Sequence, residues 1–280
     1  MMAAWPPKGV LYMRKFMILV VTLVMLCPLF SEEMVYAAES NTWLDKANVG
    51  KGIISVKYDV KANIKTMILI VKGKQKYSYN LAAGKQVETF PLQLDNGIYT
   101  VSVLEQASGN KYKVVSKDTV KMDLKDSTTV YLNSIQNINW NDTSLAVQKA
   151  KELTKNLTTD TEKVKVIYNY VISNIKYDKK LAASVPADYS PQIDLTFSSE
   201  KDICYGYSTL FAAMLRSVDI PTKLVMGTTS YVNTYHAWNE VYVNNKWVTI
   251  DTTVDAGWNG TTTAFTMIKD ASKYSVTKQY

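Results

Sequence analysis

His236 is the only histidine in a chain of 280 residues, and Cys204 is one of its two cysteines. Cys204 precedes His236 by 32 positions and Asp251 follows it by 15, which brings the three side-chain types of thiol acyl transfer into one stretch. In that chemistry the thiolate attacks a carbonyl. The imidazole takes the thiol proton and returns it to the leaving amine, while the carboxylate fixes the tautomer and steadies the imidazolium. Each residue alone has a plainer explanation: a free cysteine is often simply buried, a lone histidine can be structural, and an aspartate can cap a strand end. The three types together favour catalysis over those separate explanations. No cofactor is expected. One histidine and one cysteine do not build a zinc tetrad without several carboxylates, and Asp251, Asp255 and Glu240 are too few and scattered for a calcium cage.

The neighbouring sequence says how these groups would be held. Cys204 stands just ahead of segment 205–218, where Leu210, Phe211, Met214, Leu215 and Val218 share a helical face and Pro221 closes the run. Unpaired N–H groups and the positive end of a helix dipole would then face the sulfur, a setting suited to an anionic nucleophile and to a developing oxyanion. His236 opens the run 236–243, whose alternation puts His236, Trp238, Glu240 and Tyr242 on one strand face. Asn244-Asn245 suits a two-residue hairpin turn with positive φ angles. If Val243 pairs with Lys246, Asp251 falls opposite Trp238 and becomes a same-face diagonal neighbour of His236, with Thr253 opposite His236. A slip of two residues would set Asp251 directly opposite the histidine, and an odd slip would separate them. Tyr205, beside the cysteine, and Trp238, on the histidine's face, are the expected substrate-binding residues.

The rest of the chain has ordinary globular composition, 47% hydrophobic and 20% charged. Residues 1–37 read as a signal peptide: Lys8, Arg14 and Lys15 precede an apolar run over 16–30, and Val35-Tyr36-Ala37 offers a cleavage site. That run is too short for a stable membrane span. Its removal would lower the net charge from +7 to +6, with lysines dispersed rather than clustered, and no aromatic-and-basic stretch suggests a nucleic acid partner. It would also remove Cys27 and leave Cys204 as the one thiol, so no disulfide is expected. Residues 38–138 alternate apolar and polar in about eight short runs separated by turn residues, the pattern of a β-sandwich-like domain. Residues 139–280 change character, with helices expected over 144–156, 161–175 and 205–218, the second capped by Asp160 or Thr161. Strands are expected over 222–226, 235–243 and 246–252, which makes this half α+β, helices against an antiparallel sheet. A loop over 178–202 leads straight into Cys204 and is the expected flap.

Several motifs resemble one known family. Glu162-Lys163-Val164 through Tyr177-Asp178, Cys204-Tyr205-Gly206-Tyr207 through Ile220-Pro221-Thr222, Tyr235-His236-Ala237-Trp238-Asn239-Glu240-Val241, and Lys246-Trp247 through Asp251-Thr252-Thr253 are similar, in order and spacing, to the transglutaminase-like superfamily. The resemblance covers about residues 140–260. It implies a papain-like thiol fold of the exported bacterial type, with Cys204, His236 and Asp251 at the triad positions. Two departures stand out: Thr252 where a proline often follows the aspartate, and Gly206-Tyr207-Ser208 after the cysteine. The resemblance implies a cysteine acyl-transfer enzyme acting on amide carbonyls of proteins or peptides through a thioester, by transglutaminase, peptidase or amidase chemistry, secreted or at the cell surface and with the cell wall as a candidate location. The competing expectation is a non-catalytic cell-surface binding protein built on the same fold.

Overall fold

The computed structural model describes residues 43–280, so the expected signal peptide at 1–37 lies outside the described residues. Alternation is what builds the first half. Seven antiparallel strands form there: β1 (Leu44–Asp45), β2 (Ile53–Val56), β3 (Thr66–Lys72), β4 (Gln75–Leu81), β5 (Glu88–Pro91), β6 (Gly97–Ser108) and β7 (Lys111–Met122). They make a three-stranded sheet ordered β1-β2-β5 and a four-stranded sheet ordered β4-β3-β6-β7. Ile54 and Phe90 from the first sheet share one buried cluster with Ile68, Ile70, Tyr99, Val101 and Val103 from the second, as two facing antiparallel sheets require. In β3 the core face is Ile68 and Ile70, while Met67, Leu69 and Val71 on the opposite face are only half-buried.

Helices enter after a 3-10 turn at Ser127–Leu132: α1 (Leu145–Thr154) and α2 (Asp160–Asn174). The cap of α2 is Thr159, not Asp160 or Thr161. Its side chain accepts from Glu162 N while Glu162 reaches back to Thr159 N, a capping box that satisfies two orphan donors. Segment 178–202 is not one long loop. It holds two short helices, α3 (Lys179–Ala182) and α4 (Ile193–Ser199), and its ends are tied by the parallel pair β8 (Lys176–Tyr177) and β9 (Lys201–Asp202). Next come α5 (Cys204–Arg216), β10 (Thr222–Thr229), β11 (Val232–Val243), β12 (Lys246–Ile250), α6 (Thr252–Trp258), β13 (Ile268–Lys269) and β14 (Tyr274–Gln279).

These last strands form an antiparallel sheet ordered β13-β12-β11-β10-β14, and α5 packs against its β10 and β11. The fold is thus α+β, with helices on one antiparallel sheet and a β-rich half before them. The β11–β12 register is the one in which Val243 meets Lys246 and Asn239 meets Ile250. Asn244 (φ 53°) and Asn245 (φ 59°) supply the left-handed turn that fixes it. The strand expected to run through Thr252 stops at Ile250, however, because Asp251 accepts from Val254 N at 3.1 Å and starts α6. Among the described residues no helix is long and apolar enough to cross a membrane.

Candidate active site

Cys204 is the first residue of α5, and the first helical bond runs from Tyr207 N to Ile203 O at 3.1 Å. The N–H groups of Cys204, Tyr205 and Gly206 therefore precede the ladder and remain available at the sulfur's end of the helix. Every residue of α5 from Gly206 to Arg216 is buried, so the helix is a fixed platform. Its entry is set by Asp202, whose carboxylate accepts from Tyr189 Oη at 2.5 Å, Thr196 Oγ1 at 2.6 Å and Ile203 N at 2.7 Å. That carboxylate lies flat on Gly206, where an added Cβ would stand 2.0 Å from Asp202 Cγ. The glycine two residues after the cysteine is a packing requirement. Gly206→Ala is expected to cost about 2 kcal/mol, roughly 4–8 °C in Tm, and to slow alkylation of Cys204 by disturbing its helix. A thermal melt and a labelling rate that both match the wild type would contradict this.

His236 lies in the central strand β11, 3% exposed, and its Nε2 is 2.8 Å from Asp251 Oδ2. A carboxylate only accepts, so Nε2 carries the hydrogen and Nδ1 is the nitrogen left for Cys204. Burial alone would push the imidazole pKa down, but the bond to Asp251, the Cys204 side chain and the charges of both outweigh it and raise it to about 9. Asp251 is completely buried and saturated: Oδ2 also accepts from Tyr274 Oη at 3.0 Å, and Oδ1 holds the Val254 N–H. Tyr274 reaches it from β14, with its ring centroid 4.9 Å from that of Trp238. Behind Asp251, Asp255 accepts from Tyr168 Oη at 2.7 Å and pairs with Lys269, whose ammonium lies 5.2 Å from the Trp258 ring. Burial pushes the Asp255 carboxyl up, and Lys269 and Tyr168 oppose it. This second network holds α6, hence the cap at Asp251 and the ring of Trp258. Thr252 opens α6, the position that proline favours elsewhere, so threonine there leaves the aspartate's geometry intact.

Cys204 and His236 both border a cleft of about 620 Å³. No other lining side chain carries a charge at neutral pH. One wall is Tyr231 and Trp258 in edge contact, with ring centroids 5.5 Å apart, and another is Tyr177 with Val185 of the 183–192 connection. Sequence reasoning placed Cys204, His236 and Asp251 together, and the structure brings them together. The two expected substrate contacts lie elsewhere. Trp238 is fully buried, stacked beside His236 with centroids 6.3 Å apart, and does not line the cleft. Tyr205 borders a second, more polar cavity of about 400 Å³, where its hydroxyl accepts from Asn137 Nδ2 at 3.0 Å. Tyr231, Trp258 and Tyr274 carried no local signal, because what they touch is distant in sequence. The 183–192 connection does reach the cleft, with Val185 on this side and Tyr189 and Ser190 on the second cavity. Among the described residues no cluster of three or more potential metal ligands occurs.

Part of the chain is similar to known proteins. The family model described as the transglutaminase-like superfamily matches residues 147–252, a span that contains Cys204, His236 and Asp251. The kyphoscoliosis peptidases of Mus musculus and Homo sapiens are each 28% identical over 123 residues, 40% of this chain but only 18% of their own length. A solved structure described as a candidate cysteine protease from Cytophaga hutchinsonii is 16% identical with a TM-score of 0.41, covering 81% of this chain and 86% of that one. Red sea bream transglutaminase is 13% identical with a TM-score of 0.27, covering 71% of this chain and 47% of that one. The segment 147–252, which carries Cys204, His236 and Asp251, is thus what this chain has in common with the transglutaminase-like superfamily model.

Proposed function

We propose that the chain is a cysteine acyl-transfer enzyme that opens amide carbonyls of proteins or peptides through a thioester on Cys204, with His236 as acid and base and Asp251 as the residue that orients it. The observation that carries this reading is the bond from His236 Nε2 to Asp251, which leaves Nδ1 for the thiol of Cys204, a lining residue of the same cleft. The thiolate adds to the carbonyl carbon and the π electrons move to oxygen. Collapse expels the amine, which takes the proton from His236 Nδ1, and leaves the thioester. A second nucleophile then gives its proton to Nδ1 and releases the acyl group. Water is the favoured second nucleophile: transfer to an amine needs a site that excludes water, and this cleft has exposed walls at Val185 and Tyr235. Its uncharged aromatic walls suit an apolar flank on the substrate. The apolar run over 16–30 behind three basic residues supports export to the cell surface or beyond.

The test is thiol reactivity mapped to the Cys204 peptide of the full chain. Iodoacetamide at pH 6.5 is expected to label wild-type Cys204 about tenfold or more faster than the His236→Ala variant, because the imidazole is the base that takes the thiol proton. Equal, slow labelling of both proteins would leave no activated nucleophile and would bring forward the binding-protein reading.

A further inference from the structure

β4 is an edge strand: its sheet is ordered β4-β3-β6-β7, so β3 alone pairs with it. On such an edge the backbone groups of alternate residues have no ladder partner. Two bonds identify them. Asn80 O accepts from Gln136 Nε2 at 2.6 Å and Ala82 N donates to Glu88 Oε1 at 3.1 Å, so the backbone at these positions turns away from β3, and two side chains stand where a further strand would. Gln136 Nε2 also donates to Glu88 Oε2 at 2.8 Å, which fixes this cover. The cover stops there. Ser78, two residues before Asn80 in an unbroken register, turns its N–H and C=O the same way, and neither has a partner among the described residues. Ser78 and Asn80 border the second cavity, whose lining also includes Ala187, Tyr189 and Ser190 of the 183–192 connection and Tyr205, the residue after Cys204.

We infer that the open edge at Ser78 docks an extended peptide segment of the substrate, added beside β4 as one more strand, a role that rests on the acyl-transfer reading above. An unpaired N–H and C=O on one strand residue are half of a ladder pair, and another backbone completes it. The cavity gives the added chain room: its volume of about 400 Å³ falls within the roughly 300–1,000 Å³ of ligand sites. Side chains of the added strand alternate between solvent and the sheet face on which Tyr79 lies, so the backbone is read first and many sequences are tolerated. The thiol cleft lies across the 183–192 connection, with Val185 on its side and Tyr189 and Ser190 on this one. Binding at Ser78 is therefore remote from the bond that breaks, and it lowers KM without raising kcat.

The test follows, by fluorescence anisotropy, the binding of fluorescein-labelled ribonuclease A, reduced and carboxymethylated so that it is an unfolded chain, to the full chain carrying Cys204→Ala. Proline fits an edge strand whose N–H faces outward, yet it removes that donor and blocks an added strand. Ser78→Ala changes the side chain alone. In this parent, Ser78→Pro is expected to weaken binding about tenfold or more, and Ser78→Ala to stay within about twofold. Ala187→Trp, at an exposed position of the cavity wall, fills the cavity without touching the sheet. It is expected to weaken binding too, and it decides the matter if thermal melts show that proline unfolds β4. Parent affinity in a folded Ser78→Pro or in Ala187→Trp, or no binding by the parent, would overturn the assignment. An equal loss in Ser78→Ala and Ser78→Pro would mean that the hydroxyl is read, as a glycan would read it, and would overturn it as well. A parent that binds, while Cys204 of the unsubstituted chain alkylates no faster than in His236→Ala, would instead sink the acyl-transfer reading, and the substrate role of the edge with it.

Discussion

The Cε1–H resonance of the chain's only histidine is expected to titrate with a midpoint of about 9 in the wild type and roughly one pH unit or more lower in Asp251→Asn. Asparagine can still accept from Nε2, so the ring stays oriented, but the negative charge that favours imidazolium is gone. The amide oxygen must then take the Oδ2 place, where Nε2 and the Tyr274 hydroxyl both donate, so the amide nitrogen faces the Val254 N–H, a clash of donors. Stability carries the same signature. The folded pKa of about 9 stands above the ordinary 6.5, so the protonated ring stabilises the fold. That contribution is complete below pH 6.5 and is lost as pH rises through 9. Urea unfolding midpoints measured from pH 6 to 10 should therefore fall across this window in the wild type, beyond any fall in His236→Ala. Asp251→Ala is harsher: it orphans the imidazolium, the tyrosine hydroxyl and the helix N–H together, for an expected loss of about 3–5 kcal/mol. A histidine that titrates at the same pH with and without the Asp251 carboxylate would remove Asp251 from the site.

Why some of this was legible in the sequence and some was not follows from the range of each interaction. Cys204 and His236 announced themselves by type, and Asp251 by register, because Asn244-Asn245 admits one tight turn and a tight turn fixes the pairing. The end of β12 was not legible. Thr249, Ile250 and Thr252 are β-branched and read as one strand running through Asp251. What stops the strand is a buried carboxylate that caps α6 while it holds His236 and Tyr274. Alternation placed Trp238 on the face of His236 correctly, yet alternation says only which residues share a face. The Trp238 part of that face is closed by Tyr274 from β14. The short helices α3 and α4 span too few residues for periodicity to register, so 178–202 read as a loop. The capping box at Thr159 and Glu162 was present in the letters, and the neighbouring Asp160 and Thr161 drew attention from it.

Arg216→Lys is expected to lower the unfolding free energy by about 3 kcal/mol or more, one of the largest losses available away from Cys204, His236 and Asp251. Arg216 is the last residue of α5, the helix that begins at Cys204, roughly 18 Å away at 1.5 Å per residue. Its guanidinium is buried and has no carboxylate partner among the described residues; instead it donates to three backbone carbonyls. Nε reaches Thr222 O at 2.8 Å at the start of β10, Nη1 reaches Asn133 O at 2.7 Å in the β-rich half, and Nη2 reaches Tyr280 O at 3.0 Å beyond β14. Burial pulls the group's pKa down, yet a guanidinium starts high enough to remain charged. A lysine ammonium is a point donor on a flexible stem and cannot span three acceptors in different directions, so it strands at least one or two carbonyls without water, at about 1–3 kcal/mol each. One side chain from the helix that begins at Cys204 thereby ties the β-rich half to one end of the β10–β14 pair, where the start of β10 adjoins the end of β14. Other links run beside it, from Asn137 Nδ2 to Tyr205 Oη at 3.0 Å, Gln279 N to Tyr77 Oη at 3.2 Å and Gln93 Nε2 to Gln279 O at 3.4 Å, but none of them serves the three carbonyls that Arg216 holds. Loosening this joint should also be felt at the far end of the helix: the variant's Cys204 should alkylate with a larger contribution from opened states and a steeper dependence on urea. Urea unfolding followed by tryptophan fluorescence measures the stability term directly, and a loss under about 1 kcal/mol would show that the three carbonyls find other partners.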